Sequence, residues 1–390
     1  MASISGDSGD NLLTGTANND FISGLGGDDT LDGGGGNDIL RGGAGADFLF
    51  GGTGVDRADY RDSSAAVDIR YDPGTSANAE GTGGTAEGDS LTSVEAIIGS
   101  AYDDTVIGND ADNIFFVYGG ADYFNGEGGS DSVDFQIALD AQAGLGVVVN
   151  LGATVYDAAF TSFTTTDVMT WQNSNTHIIS DAVTAGADGT QLYKVENVDG
   201  TDNADWITGS NDDNALDGHA GDDFLFGLSG QDTLLGGNGD DHLDGGWAED
   251  SLLGEAGNDS LFGSYGDDTM RGGDGFDYLG GGDGVDRLYG DGGSDVLNAG
   301  DGDDIDYLTG GSGADIFEFG DQTGSDRILD FEPGTDVIDL SANTALNDFA
   351  DVQAAAAEVG GHVRVTLGGS NLLYIYDTAI ADLSASDFAF

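Results

Sequence analysis

Along residues 200–298 a large apolar residue returns at every ninth position, and the residues between are mostly small or polar. Read from Gly236, the units are GGNGDDHLD, GGWAEDSLL, GEAGNDSLF, GSYGDDTMR, GGDGFDYLG, GGDGVDRLY and GDGGSDVLN. Position eight holds Leu243, Leu252, Leu261, Met270, Leu279, Leu288 and Leu297, position one is Gly, and position six is Asp. Eleven such units run in phase through this stretch. A fixed period over many units marks a solenoid, in which each repeat buries its apolar side chain against its neighbours. Glycines give the first six residues freedom at positive φ, so these read as a tight turn. The last three, one apolar side chain between two variable ones, read as a very short strand. Two units then make one flattened coil of eighteen residues, and coils stack at about 4.8 Å. The fold class that follows is all-β: a parallel β-roll, or β-solenoid, of nonapeptides with two excursions and a small C-terminal α+β cap. The rival reading, a disordered acidic linker, has no need of a strict apolar phase.

The same pattern orders the rest of the chain. Residues 1–59 form a first run, with position six at Asn11, Asp20, Asp29, Asp38, Asp47 and Asp56. Position eight there is Leu13, Ile22, Leu31, Leu40, Leu49 and a weak Ala58. Residues 60–98 leave the register. Val67, Ile69 and Tyr71 alternate with Asp68 and Arg70 as a half-buried strand, which stops at the turn Asp72, Pro73, Gly74. Residues 75–88 read as a surface loop. Residues 99–134 form a second run with Asp104, Asn113, Asp122 and Asp131 at position six. A second excursion, 135–199, carries an alternating strand at Val147, Val149 and Leu151 and a Thr-rich stretch. Its exit copies the first at a constant offset of 101 residues, matching Val94 to Val195, Glu95 to Glu196, Asp104 to Asp205 and Asn113 to Asn214. The chain therefore holds an internal duplication. Both excursions read as widened coils or flaps on one roll, with small independent domains as the second reading. The main roll spans 200–318; its unit at 299–309 has two extra residues and Asp304 at position six. In 319–390, DFADVQAAAAEV predicts a helix stopped by Gly360 and Gly361, and HVRVTL and LLYIYD around GGSN predict a hairpin.

Charge decides what must hold such a fold together. Asp and Glu number 73 against nine Lys and Arg, a net charge of −64, which is too much self-repulsion for a compact ion-free state. Stacking places Asp241 beside Asp259 and Asp250 beside Asp268, and carboxylates that close repel unless a cation lies between them. Carboxylate and carbonyl oxygens are hard ligands and suit Ca²⁺. The acidic surface argues against nucleic acid or an anionic membrane as partner. No Cys is present, so metal is the remaining staple. The start, MASISGDSGDNLL, lacks the basic region and apolar core of a Sec-type signal, and no apolar stretch approaches a membrane span. The expectation is a cytoplasmic chain or one exported by another route.

These units resemble the repeats-in-toxin (RTX) family, whose motif is GGxGxDxUx with U apolar, and the resemblance covers nearly the whole chain. It implies a calcium-binding β-roll, with each ion held between turns of successive coils. The charged ligands it implies are Asp20, Asp29, Asp38, Asp47 and Asp56 in the first run and Asp104, Asp122 and Asp131 in the second. In the third they are Asp205, Asp223, Asp232, Asp241, Asp250, Asp259, Asp268, Asp277, Asp286, Asp295, Asp304 and Asp315. The family takes carbonyls from positions one to four. In the first run these fall on Gly33, Gly34, Gly36, Gly42, Gly43, Gly45, Gly51 and Thr53. In the main run they begin with Gly218, Gly221, Gly227, Gly230, Gly236, Gly237, Asn238, Gly239, Gly245, Gly246, Trp247, Gly254, Ala256 and Gly257. They continue through Gly263, Tyr265, Gly266, Gly272, Gly273, Asp274, Gly275, Gly281 and Asp283. Gly237, Gly239 and Asp241 would thus face Gly254, Ala256 and Asp259 across one ion. Asn11 departs from the pattern by losing the charge, which weakens the first site. The resemblance implies roughly 15–20 Ca²⁺, enough to cancel about half the charge. The final ADLSASDFAF resembles the uncleaved C-terminal signal of type I secretion, while 342–390 also reads as a cap sealing the last coil.

Catalytic candidates are few. His219 and His242 fall at variable repeat positions, His362 opens a predicted strand, and His177, with Trp171 and Asp181, alone stands outside repeat logic. HExxH, GxSxG and P-loop motifs are absent from the sequence. The expectation is therefore no enzyme but a secreted structural protein that folds on Ca²⁺ and self-assembles as a homo-oligomer or polymer at the cell surface or matrix. The alternative is a polysaccharide-binding module, or an accessory to a carbohydrate-active enzyme such as a mannuronan epimerase. Trp247, Tyr265, Tyr278 and Tyr289 are its candidate sugar-stacking residues.

Overall fold

The computed structural model describes residues 1–72, 78–120, 122–135, 147–150, 180–181, 191–193, 196–300, 304–320 and 324–390. They form two compact units, Met1–Asn203 and Ala204–Phe390, each a parallel β-solenoid; one α-helix, Phe349–Ala355, occurs among the described residues.

In the second unit the regular repeats build two facing ladders. Thr233–Asn238, Ser251–Ala256, Thr269–Gly275 and Arg287–Gly293 pair in one, and Phe224–Ser229, His242–Trp247, Ser260–Tyr265 and Tyr278–Asp283 pair in the other. Partners are eighteen residues apart, so Leu234, Leu252, Met270 and Leu288 stand in one column and Leu225, Leu243, Leu261 and Leu279 in another. Every one is at most 1% exposed. A parallel ladder without slip repeats its pleat at each rung, which is why position eight always points inward. Each buried side chain of this size contributes about 1.5–3 kcal/mol.

The strands are longer than the expected three residues. Those of the regular stretch run six or seven residues, from position seven into position three or four of the next unit. Pairing skips position one: Leu235 pairs with Leu253 and then Gly237 with Glu255. Glycine there and a left-handed residue at position two let the chain bend while the ladder continues.

The first unit adds an insertion. Phe48–Thr53 pairs parallel with Ser90–Thr92, which pairs antiparallel with Asn78–Thr82, then antiparallel with Asp68–Tyr71, then parallel with Thr105–Ile107. Five residues of the expected loop at 75–88, Asn78–Thr82, are therefore a strand. Its small polar residues are poor strand formers, but two waiting edges supply hydrogen bonds on both sides. Val67, Ile69 and Tyr71 are buried as expected. Val147–Asn150 pairs with Ser180–Asp181. Pro73, Gly74, the Thr-rich stretch, Trp171 and His177 lie outside the described residues.

At the C-terminal end Asn371–Ile375 pairs with Ser325–Ile328, and Phe388–Ala389 pairs with Val337–Asp339, so both ladders are continued. The alanine-rich helix is shorter than expected. Asp348 accepts from the Asp351 N–H at its start, and Ala356–Val359 turns into a strand against His362–Gly368, whose pairing displaces the last helical turn. The expected hairpin is present as His362–Gly368 and Asn371–Ile375.

Candidate calcium sites

Position-six side chains form two buried files along the coils. In one, the Asp223 N–H donates to Asp241 Oδ1 (2.8 Å), Asp241 to Asp259 (2.8 Å), Asp259 to Asp277 (2.9 Å) and Asp277 to Asp295 (3.0 Å). In the other, Asp232 donates to Asp250 (2.8 Å), Asp250 to Asp268 (2.7 Å) and Asp268 to Asp286 (2.9 Å). The first unit repeats this from Asp20 to Asp38 to Asp56 and from Asp29 to Asp47. One carboxylate oxygen is thus used by the coil before it. The other, Oδ2, is buried without a hydrogen-bond partner at Asp29, Asp38, Asp47, Asp56, Asp223, Asp232, Asp241, Asp250, Asp259, Asp268, Asp277, Asp286 and Asp295.

An orphaned buried carboxylate oxygen is costly, and the proton affinity of these groups shows it. Burial, followed by the charge of neighbouring carboxylates, pushes Asp241 and Asp268 up to about 6, Asp250, Asp259 and Asp295 to about 7, and Asp286 to about 8. The spot each Oδ2 faces is lined by a second oxygen. A Cβ at Gly33 would stand 2.5 Å from Asp38 Oδ2 and 2.5 Å from the Gly51 carbonyl; at Gly290 it would meet Asp295 Oδ2 and the Gly310 carbonyl at the same 2.5 Å. Position-one glycine leaves this cradle of carboxylate and carbonyl oxygens clear. All donors are hard oxygens and one is an unpartnered anion, a set that fits Ca²⁺.

The expected backbone ligands lie at the same turns. The Ala256 carbonyl accepts from the Gly239 N–H (2.8 Å), the Asn238 carbonyl from Gly221 (2.8 Å), the Tyr265 carbonyl from Ala248 (2.8 Å) and the Asp274 carbonyl from Gly257 (2.9 Å). A carbonyl has two lone pairs, so one stays available beyond each of these bonds. Position two is left-handed at Gly34, Gly43, Gly237, Gly246 and Gly273, and position four at Gly36, Gly45, Gly221, Gly230, Gly239, Gly257, Gly266 and Gly275.

One assignment shifts. Asp304 is exposed, and Asp306 takes the rung, accepting from the Asp286 N–H at 2.8 Å. Both extra residues of that unit precede its rung, so counting from its first residue, Ala299, lands two short. The files also run past the last clear motif: Asp306 donates to Asp326 (3.2 Å) and Asp315 to Asp336 (3.1 Å). Where the excursions return, the Asp47 N–H finds Asp89 (2.8 Å), Asp56 finds Glu95 (2.9 Å) and Asp131 finds Glu196 (2.9 Å). The constant offset between Glu95 and Glu196 was the signal for two of these rungs.

His219 Nδ1 lies 3.7 Å from Asp217 Oδ1. His242 packs between Phe224 and Phe262 in a ladder of half-buried rings. The His362 ring lies on Tyr376 at 4.1 Å. Trp247 and Tyr265 stack at 4.1 Å and are 59% and 46% exposed. Tyr278 packs on Phe262, and Tyr289 lies beneath Arg271.

The family model described as RTX calcium-binding nonapeptide repeat (4 copies) matches residues 5–40, 23–58, 98–133, 199–234, 221–252, 244–279, 280–316 and 305–326, more than half of the chain. The chain belongs to that family, and multiple Ca²⁺ ions are its cofactor. The crystal structure of the extracellular lipase LipA from Serratia marcescens is similar at 16% identity over 98% of this chain and 40% of that one, with a TM-score of 0.21. The solution structure of the AlgE6R3 subunit from the Azotobacter vinelandii mannuronan C5-epimerase is similar at 28% identity over 39% of this chain and 79% of that one, with a TM-score of 0.19. The chain thus spans about two-fifths of the lipase's length. Both TM-scores are low, and the assignment stands on the repeat match. No curated protein matches the sequence.

Proposed function

We propose that this is a secreted, non-enzymatic structural protein whose roll folds when Ca²⁺ binds outside the cell, and which then self-assembles at the cell surface or matrix. The observation that carries the reading is the file of buried Oδ2 atoms without partners at turn after turn. At low cytosolic Ca²⁺ those charges favour the unfolded chain, which suits export through type I secretion machinery. Outside, millimolar Ca²⁺ exceeds the roughly 10⁻⁴–10⁻³ M dissociation constants of extracellular modules and stabilises the native state alone. The ions are assigned to the position-six aspartates Asp29 to Asp56 and Asp223 to Asp295, with carbonyls of the adjoining turns completing each shell. The structural role is supported by the acidic surface and the flat ladders along the sides of the coils, suited to repeated contacts between copies. Circular dichroism with Ca²⁺ or EDTA tests the folding step, and a β signal indifferent to chelation rejects it. Electron microscopy with added Ca²⁺ tests assembly: sheets or filaments support it, and monodisperse rods reject it.

The stacked and exposed Trp247 and Tyr265 favour a second reading, a polysaccharide-binding module. A glycan array with the wild-type chain and a Trp247→Ala variant separates the two.

A further inference from the structure

Apart from the turn that leads to Asp122, where Gly120 is left-handed and Tyr118 is not, the repeat turns of the position-six files are of two kinds. In the kind described above, positions two and four are both left-handed, even where position two is Leu25, His219, Leu228, Glu255 or Ser264, with φ between 71 and 79°. Six other turns are built differently. They start at Gly6, Gly15, Gly99, Gly108, Gly200 and Gly209, and their position-two residues are Asp7, Thr16, Ser100, Asn109, Thr201 and Ser210. None of these six is left-handed among the described backbone angles. Each side-chain oxygen accepts the N–H two residues on: Gly9, Asn18, Tyr102, Ala111, Asn203 and Asp212, at 2.8–3.2 Å.

In five of the six, that turn is seen to aim the position-two N–H at the position-six side chain. Asp7 donates to Asn11 Oδ1 (2.7 Å), Thr16 to Asp20 Oδ2 (2.7 Å), Ser100 to Asp104 Oδ2 (2.5 Å), Asn109 to Asn113 Oδ1 (2.9 Å) and Ser210 to Asn214 Oδ1 (2.6 Å). The Thr16 and Ser100 hydroxyls add bonds to the same carboxylates (2.7 and 2.6 Å). The remaining oxygen of Asp20 accepts from the Ala2 N–H and that of Asp104 from Val67, both at 2.8 Å. Both carboxylates are therefore saturated by the protein. The three position-six amides, Asn11, Asn113 and Asn214, all fall in turns of this kind. A neutral side chain suffices where a backbone N–H does the work of an ion.

Placement follows a rule. Each run opens with two such turns, one full coil, at 6–23, 99–116 and 200–217. Each coil then offers its position-six N–H groups to the next: Asn11 to Asp29 and Asp20 to Asp38 (both 2.7 Å), Asp205 to Asp223 (2.6 Å), Asn214 to Asp232 (2.7 Å). The far end closes alike, with the Glu332 N–H on Asp336 Oδ2 at 2.8 Å.

We infer that the opening coil of each run holds itself closed by hydrogen bonds and takes no calcium, so that the position-six aspartates divide into ion-bearing rungs and ion-free starting rungs. Asp20 and Asp104 leave the set of ligands on these bonds, and Asp205 leaves it by the rule, because Thr201 builds the same turn. The inference rests on the calcium reading but makes a separate claim about where the ions are.

The test is the number of ions bound per full-length chain at saturating Ca²⁺, by equilibrium dialysis with elemental analysis. The combined variant Asp20→Asn, Asp104→Asn, Asp205→Asn is expected to bind as many ions as the wild type. Restoring acids with Asn11→Asp, Asn113→Asp, Asn214→Asp is expected to add none. Asp241→Asn, Asp250→Asn, Asp259→Asn is expected to lose several. Loss of ions in the first variant, or gain in the second, overturns the inference. A wild-type chain that binds no calcium overturns the calcium reading itself.

Discussion

Two stretches of the roll solve one problem with different atoms. Between Thr233 and Gly293 the inward carboxylates have an oxygen that no protein group reaches, and the nearest cations, Arg271 and Arg287, lie on Asp291 and Tyr307 instead. Between Arg57 and Ile98 the Asp89 rung is closed by the protein. The Tyr60 hydroxyl donates to Asp89 Oδ2 at 3.1 Å, and buried Asp59 is held by Arg41 and Arg61 at 2.5 and 2.9 Å. Three of the chain's nine Lys and Arg, namely Arg57, Arg61 and Arg70, fall in this short segment, and Arg41 reaches Asp59 from the coil before it. Scarce cations and a hydroxyl sit where the coil departs from its repeat, and the regular stretch is left to metal.

Chelation should separate the two stretches most. For each site filled to a hundred times its dissociation constant, removing Ca²⁺ withdraws about 2.7 kcal/mol, and the regular stretch has many sites. Hydrogen exchange in EDTA is expected to release the amides of 233–293 before those of 57–71 and 89–98. Equal release would erase the distinction.

Acid comes next, and its sign differs between the orphaned aspartates and Asp59. An unfolded Asp loses its proton near 3.8, whereas in the ion-free roll Asp241 holds it to about 6, Asp259 to about 7 and Asp286 to about 8, chiefly through burial. The folded state binds these protons more tightly. Ion-free stability is therefore highest below pH 4 and falls as pH rises from there through 6 to 8. Asp59 runs the other way: burial opposes its charge, but Arg61 and Arg41 hold it below the usual range, so its contribution is present above about 4 and lost in stronger acid. In EDTA, the circular dichroism of the β-roll should be stronger at pH 5 than at pH 8. With Ca²⁺ present, the midpoint concentration for folding should rise as pH falls, because protons compete for the same oxygens.

What the two stretches share should respond alike. Leu261 and Leu91 are both buried, at most 1% exposed, and Leu261→Ala or Leu91→Ala should each cost about 2–5 kcal/mol. Urea unfolding in saturating Ca²⁺ measures both; a much larger loss at one site would mean the cores differ as well as the oxygens.

The shared part was also the legible part. A period of nine places Leu261 and Asp259 without any knowledge of the third dimension, since every coil repeats the last. Asp306 was misplaced because an inserted pair of residues breaks the count while the ladder absorbs it. The strand Asn78–Thr82 was invisible because its pairing, not its residues, makes it a strand. The two kinds of turn were harder still. Ser264 and Asp291 carry the same side-chain types as Ser100 and Asp7 yet sit left-handed, each followed two residues on by a left-handed glycine, Gly266 and Gly293. A glycine at position four is no sufficient signal, because Gly9 occurs in a closed turn. The choice is made by the whole turn and its stack, not by one residue.

Tyr60→Phe is the smallest change that tests the contrast. Its ring is buried, and only the hydroxyl on Asp89 is lost, so packing is nearly unchanged. Asp89 Oδ2 then joins the orphaned oxygens of the regular stretch, at a cost of about 1–3 kcal/mol for an unsatisfied buried acceptor. Asp89, which burial already holds at about 7, loses a hydrogen bond that lowered it and should bind its proton more tightly still. If the protein groups of this segment stand in for an ion, the variant should be destabilised in EDTA and recover part of that loss in excess Ca²⁺, beyond any gain the wild type shows. Destabilisation of equal size with and without Ca²⁺ would mean that the hydroxyl is an ordinary buried partner, and that the two stretches differ by accident of sequence alone.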